Sequence, residues 1–168
     1  MGRRSIKENK SLFQKYREEL GYSREKASVL LGWISPERIE KIENDKSQPH
    51  PDEVLEMSAV YKKPGLCNYY CSNLCPIGQK YIPEIKPKEL SQIVLEMLAS
   101  LNSTQKKQER LIEITSDGKI SNEEIRDFVY IQKELERILA TVNSLQLWTE
   151  RMLATGIIDL DVYNSYLE

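Results

Sequence analysis

The sequence predicts an all-α protein, and two observations lead to this fold class. Apolar residues recur at the three- and four-residue spacing of amphipathic helices over most of the chain, and alternating β-branched runs are nearly absent. Prolines, glycines and capping residues then divide this pattern into segments. We predict four short helices near residues 7–20, 24–31, 36–44 and 52–61, and a pair of long helices within residues 90–153.

Start and stop signals support the short helices. Gly32 follows the second helical pattern, and Ser35-Pro36 offers an N-cap residue and a proline at the first position of the third helix. The pair His50-Pro51 does the same for the fourth helix. The spacing therefore predicts a compact group of short helices in the first 65 residues.

The second half of the chain has the heptad spacing of a coiled coil. The apolar positions are Leu90, Val94, Met97, Leu101 and Leu111, then Phe128, Ile131, Leu135, Ile138, Val142, Leu145 and Met152. The segment between the two series offers Gly118 for a positive φ, with Ser121 as N-cap and Glu124 completing a capping box. We predict an antiparallel helical hairpin in which Leu101 lies near Leu135.

Such a hairpin leaves apolar flanks, including Ile93, Val129, Leu139 and Trp148. A second copy would cover them in a four-helix bundle, which predicts a homodimer. The alternative is a hairpin that packs on the N-terminal domain of its own chain.

Composition and charge narrow the function classes. The net charge is -2, but residues 1–64 carry +2 and residues 65–168 carry -4, and Arg3, Arg4 and Lys7 form a short basic arm with Lys10. No apolar run approaches the about 20 residues of a membrane span, and the first residues lack the apolar core of a signal peptide, so we expect a cytoplasmic protein. Because no glycine-rich phosphate loop or nucleophile motif is present, we expect neither an enzyme nor a cofactor.

A set of residues between 11 and 65 carries a resemblance to a known family. Arg17 lies four residues before Gly21, Ser23-Arg24 begins the second helix, and Gly32 makes the turn. The matching residues further along are Ser28, Ile39, Ile42, Glu43, Asn44, Pro49, Ser58 and Tyr61. Together they resemble the Xre-type helix-turn-helix family, to which the phage Cro and repressor DNA-binding domains belong. The resemblance implies a λ-repressor-like fold, binding to double-stranded DNA, and an internal pair between Arg17 and Glu43.

The expected DNA contacts follow from the shape of the major groove. It is about 12 Å wide and admits one α-helix, so the third helix would present its polar face. We expect the DNA-binding residues to be Ser23, Arg24, Ser35, Glu37, Arg38, Lys41, Asn44 and Lys46. The segment from Gly32 to Ile39 is one residue longer than the commonest family spacing, and an adaptor that binds protein instead of DNA is the alternative function.

All three cysteines fall at four-residue steps, at Cys67, Cys71 and Cys75. We favour no metal site, because three thiolates leave a tetrahedral site one ligand short, and His50 is the only histidine that could complete it. A metal or iron–sulfur site and a redox-sensing thiol remain alternatives to buried structural cysteines.

The predicted organisation has five parts. They are a helix-turn-helix domain (1–65), a cysteine-containing connector (66–80), a linker (81–89), the hairpin (90–153) and a C-terminal tail (154–168).

Overall fold

A computed structural model describes residues 9–105 and 107–167, and within them every regular element is a helix. The helices are α1 (Leu12–Glu19), α2 (Arg24–Leu31), α3 (Pro36–Glu43), α4 (Pro51–Val60), α5 (Gly65–Asn73), α6 (Pro76–Tyr81), α7 (Leu90–Gln105), α8 (Gln108–Thr115), α9 (Ile125–Ala154) and α10 (Leu160–Asn164). The all-α prediction is confirmed. The described residues divide into two units. The first contains residues 9–84 and 149–167, and the second lies within residues 85–148.

Serine side chains fix the starts of the first three helices. The Oγ atoms of Ser11, Ser23 and Ser35 each accept a hydrogen bond from a backbone N–H three residues later, at 3.3, 3.1 and 3.2 Å. The predicted bounds of α2 are confirmed, and those of α3 and α4 differ from the observed bounds by one residue. The prediction that the first helix begins near residue 7 is wrong, since Ser11 has extended backbone angles and caps a helix that begins at Leu12.

The core of the first unit is formed by side chains from α1 to α5. Its buried members are Phe13, Ala27, Leu31, Ile34, Ile39, Ile42, Val54, Met57, Tyr61 and Leu66. Partly buried Cys67, Tyr69, Tyr70 and Leu74 pack against them, and the rings of Phe13 and Tyr69 meet edge to face at 6.3 Å. The segment that contains the cysteines is therefore helical and continues the packing of α1 to α4.

Helices α5 and α6 meet at a position that only glycine fills. A Cβ atom on Gly78 would lie 2.0 Å from the backbone oxygen of Cys71. Cys75 caps α6, where its Sγ accepts a hydrogen bond from the Gly78 N–H at 3.5 Å. The close contact sets the crossing of the two helices.

The second unit contains α7, α8 and α9 as far as Trp148. Gly118 has the predicted positive φ, at 71°, and Glu124 accepts from both the N–H and the hydroxyl of Ser121. Ser103 and Tyr130 share a hydrogen bond of 3.2 Å across the hairpin. Arg110 donates to Asp127 at 2.8 Å in the same way. These contacts agree with an antiparallel course.

The finer register of the hairpin stays a prediction. Leu101 and Leu135, expected to be neighbours, keep 45% and 48% of their surface exposed. In the described part of the chain, no helix has the length and apolar character needed to cross a membrane.

Candidate nucleic-acid interface

Helix α3 has one buried and one exposed face. Ile39 and Ile42 are buried, whereas Glu37 and Lys41 are exposed on the opposite side. Ser35 caps the helix, and Pro36 occupies its first turn. Helix α3 therefore presents polar side chains to solvent along one face, as a recognition helix requires.

A buried carboxylate joins the three helices around this site. Glu43, fully buried at the end of α3, accepts from Arg17 Nε at 2.5 Å and from a terminal nitrogen of Arg17 at 2.9 Å. Burial acts to lower the pKa of Arg17, but the bonds to Glu43 outweigh it and raise that pKa above its ordinary value. The pair that the resemblance implied is confirmed, and it holds α3 against α1.

Arg24, expected to contact DNA, is part of the same network. Its Nε donates to the second carboxylate oxygen of Glu43 at 2.9 Å, and its side chain is 31% exposed. Arg24 and Arg17 thus share one buried anion. Its role as a DNA contact stays a prediction, and a phosphate would compete with Glu43 for its guanidinium.

Arg38 also binds within the domain. Its guanidinium makes two bonds of 2.6 Å to Glu53 at the start of α4, and it donates to the Ser47 hydroxyl and the Gln48 carbonyl at 2.7 and 2.9 Å. Burial acts to raise the pKa of Glu53, but Arg38 and the His50 N–H outweigh it and hold that pKa below its usual range. Arg38 therefore fixes the loop between α3 and α4, and its contact with DNA stays a prediction.

Carboxylates occupy the N-terminal turns of both α2 and α3. Glu25 interacts with its own backbone N–H and with Ser23, and Glu37 does the same with Ser35, so the pKa of each carboxyl is lowered. The negative charge of Glu25 acts in the opposite direction on the pKa of Glu37. Anions at helix N-termini are stabilised by the helix dipole, so these carboxylates hold the positions that phosphates would take.

Exposed cations remain at the C-terminal side of the helix. Lys41 is exposed, and Lys46 is 64% exposed with its Nζ 3.6 Å from Glu40. Asn44, the C-cap of α3, donates to the same Glu40 carboxylate at 3.5 Å. The predicted basic arm, with Arg3, Arg4 and Lys7, lies outside the described residues, while Lys10 pairs with Glu18 at 2.7 Å.

An apolar patch at the helix-turn-helix turn was not predicted. Val29, Leu30 and Trp33 are 80%, 46% and 57% exposed, whereas Ile34 is buried. The longer turn after Gly32 thus buries Ile34 and leaves Trp33 outside. Two adjacent apolar residues after Gly32 were the only sequence signal for it.

The three cysteines are free thiols, each partly exposed. Burial, and then the neighbouring Cys75 and Cys67, raise the pKa of Cys71. In residues 9–105 and 107–167, no group of three or more His, Cys, Asp and Glu side chains is placed to hold a metal ion. His50 is the N-cap residue of α4, where its backbone N–H donates to Glu53 at 2.7 Å.

Comparison with known proteins agrees with this geometry. Residues 13–65 match the helix-turn-helix family of the Xre and λ-repressor type. No curated protein and no solved structure gives a significant match to the chain.

Proposed function

We propose that this chain, whose residues 13–65 form an Xre-type helix-turn-helix domain, is a transcriptional regulator that binds specific double-stranded DNA as a homodimer. The family match supports a DNA-binding regulator in general. Sequence specificity, the homodimer and the DNA contacts are the parts that we add.

The observation that carries the proposal is the orientation of α3. Its apolar residues Ile39 and Ile42 face the core, and Glu37 and Lys41 project to solvent from the same two turns. Lysine binds phosphates and guanine edges, and glutamate accepts from cytosine N4, so this pair offers both positioning and base recognition. Lys46 and Asn44 extend the surface along the phosphate backbone.

A homodimer would allow the protein to contact two half-sites on one duplex. Two recognition helices about 34 Å apart meet successive major grooves on one face of the duplex, and each reads one half of a palindrome. The hairpin in residues 90–153 is the part that would hold two domains at such a distance.

Selection of bound duplexes from a random pool tests specificity and symmetry together. A palindromic consensus is expected. Affinity for that duplex should fall with increasing salt, because each lysine that neutralises a phosphate releases counterions. Affinity that does not depend on salt would contradict DNA binding.

Individual contacts are best tested at Lys41. Lys41→Ala should weaken binding and reduce the slope of log affinity against log salt by about 1. Lys80→Ala removes an exposed lysine from α6 of the same unit and should leave the slope unchanged. Arg38→Ala does not serve this purpose, since it also releases Glu53.

A specific observation favours a second candidate, an adaptor that binds protein. Arg24 and Arg38 are engaged by Glu43 and Glu53, and carboxylates hold both helix N-termini. A domain used this way would retain the fold without an affinity for duplex. Absence of any duplex binding at low salt would favour the adaptor.

A further inference from the structure

The second unit leaves two rows of apolar side chains exposed. On α9, the row contains Ile125, Phe128, Leu135, Leu139 and Val142, which are between 37% and 54% exposed. Their spacing alternates between three and four residues once Gln132 is included. On α7, Leu98 and Leu101 are 49% and 45% exposed.

Both rows lie at a similar angle from the buried side of their helix. At about 100° per residue, the centre of the α9 row lies about 110° from the mean direction of Ile131, Glu134 and Thr141, the buried residues that lie alongside the row; buried Ser144 and Leu147 lie beyond its end. On α7, Leu98 and Leu101 lie about 120° from buried Ile93 and Ser100, in the same sense of rotation. Equal rotations on antiparallel helices point to the same side of the pair. The two rows therefore share one side of the hairpin, which we call the leucine face.

A hydrogen bond marks the opposite side. Ser103 and Tyr130 bond at 3.2 Å, and both are rotated in the other sense: Ser103 from Ile93 and Ser100, and Tyr130 from the buried residues alongside the α9 row. Lys107 lies over the ring of Tyr130 at 5.6 Å and adds a polar contact there. One edge of the hairpin thus carries exposed polar contacts, and the other exposes leucines.

No residue of either leucine row is charged, although Glu136 beside the α9 row accepts a hydrogen bond from Gln132 at 3.2 Å. Helix α7 has a single charged residue, Glu96, which is paired with Lys88, in a chain whose charged residues make up 30%. No charged residue interrupts the α9 row either. A partner that buried a charge here would find no counter-charge, whereas a second leucine face brings none.

We propose that the leucine face is the surface through which two copies of this chain pair, so that two hairpins form a four-helix bundle. The inference rests on the proposed homodimer and names the face that forms it. Each copy covers the leucine rows of the other, and the polar edge with Ser103 and Tyr130 stays in solvent.

The test is the mass of the full chain in solution without DNA, measured by light scattering after gel filtration. The wild-type chain should have about twice 19.6 kDa. The double variant Leu135→Glu/Leu139→Glu should have half that mass, because it places charges on the face. Lys133→Glu changes the net charge by the same amount on the same helix, outside the row, and should stay dimeric.

Two outcomes overturn the inference. A wild-type monomer at high concentration removes the dimer, and a dimeric double variant assigns pairing to another surface. Duplex binding is measured separately, so a monomer that binds a single half-site would keep DNA recognition while the leucine face fails.

Hydrogen exchange of the wild-type chain gives an answer even if the double variant does not fold. Amides in 90–101 and 125–146 should lose protection on dilution, while those in 12–61 keep theirs. Equal protection of the hairpin at all concentrations across the dissociation range would contradict pairing through this face.

Discussion

The two units of this chain use similar helical patterns but differ in how they cover their apolar residues. In the first unit, which contains the helix-turn-helix, the side chains of Ile39 and Met57 are fully buried. The charged side chain of Glu43 is also buried, and it is paired with Arg17 and Arg24. In the second unit, which contains the hairpin, Leu135 and Leu139 are about half exposed, at 48% and 54%. The buried positions there include polar Glu134, Thr141, Ser144 and Ser100.

The difference follows from the number of neighbours that each helix has. Several short helices crossing at steep angles enclose a common core, so each apolar stripe meets another element. A hairpin has one interface, which covers only part of a wide apolar face. Thr141 and Ser144 tolerate burial because their hydroxyls donate to carbonyls of their own helix, at 2.8 and 2.7 Å. The first unit buries its apolar core within one chain, whereas the second leaves leucines exposed that the proposed second copy would cover.

The largest effect is expected at Glu43. Glu43→Ala leaves the buried Arg17 guanidinium without its anion and should cost about 3–5 kcal/mol of unfolding free energy. Urea unfolding followed by the fluorescence of Trp33, in a Trp148→Phe background, measures the first unit. Glu40→Ala removes an exposed carboxylate from the same helix and should cost less than about 1 kcal/mol. If Glu43→Ala and Glu40→Ala lost similar amounts of unfolding free energy, the stability of the first unit would not depend on its buried ion pair, and the contrast with the second unit would fail.

The crossing of α5 and α6 gives the next prediction. Gly78→Ala places a methyl group on the backbone of Cys71 and should destabilise the first unit by roughly 2–3 kcal/mol through forced displacement of α6. Gly156→Ala is not a suitable control, because Gly156 has a φ of 74°. Ser72→Ala on α5 keeps the crossing. It removes the bond that the hydroxyl donates to the Asn68 carbonyl and the one that it accepts from Asn73, so it should cost about 1 kcal/mol. Unchanged stability of Gly78→Ala would show that α6 can move away from α5 without loss to the first unit.

Arg38 gives an effect that depends on pH. Arg38→Ala should cost about 2 kcal/mol at neutral pH, because Glu53 is nearly buried and loses two charged hydrogen bonds. The folded pKa of Glu53 is depressed, so its contribution is present above an unfolded pKa of about 4.3 and is lost as the pH falls through the folded value.

Acid titration of unfolding separates this role from a DNA contact. The wild-type chain should lose more stability than Arg38→Ala as the pH falls below about 4.3, so the difference between them narrows. Parallel curves would mean that Arg38 does not stabilise ionised Glu53 and is available for other partners.

Local signals account for what could be predicted of the first unit. Ser23, Ser35 and the His50-Pro51 pair mark helix starts through bonds that span three residues, which a sequence shows directly. The resemblance supplied the pair of Arg17 with Glu43. No local signal predicts that Arg24 pairs with Glu43, 19 residues away, or that Arg38 pairs with Glu53, 15 residues away. Long flexible cationic side chains have many possible partners.

The hairpin shows a different limit. Phe128, Ile131 and Leu135 belong to one predicted heptad series, yet Ile131 is buried and the other two are substantially exposed. Heptad spacing gives the direction of an apolar stripe but not the number of helices that cover it. The division of the series into a covered and an uncovered row needed the structure.

The smallest expected effect is the dependence of thermal unfolding on protein concentration, and it compares the two units directly. A tenfold rise in protein concentration stabilises a dimer by about 1.4 kcal/mol, so the midpoint of thermal unfolding of the second unit should rise by about 5 °C. The first unit, whose apolar core is buried within one chain, should not respond. Trp148 reports on the second unit in Trp33→Phe, and Trp33 reports on the first in Trp148→Phe. Midpoints that move together would show that the two units unfold as one, and a hairpin midpoint independent of concentration would mean that its exposed leucines need no second copy.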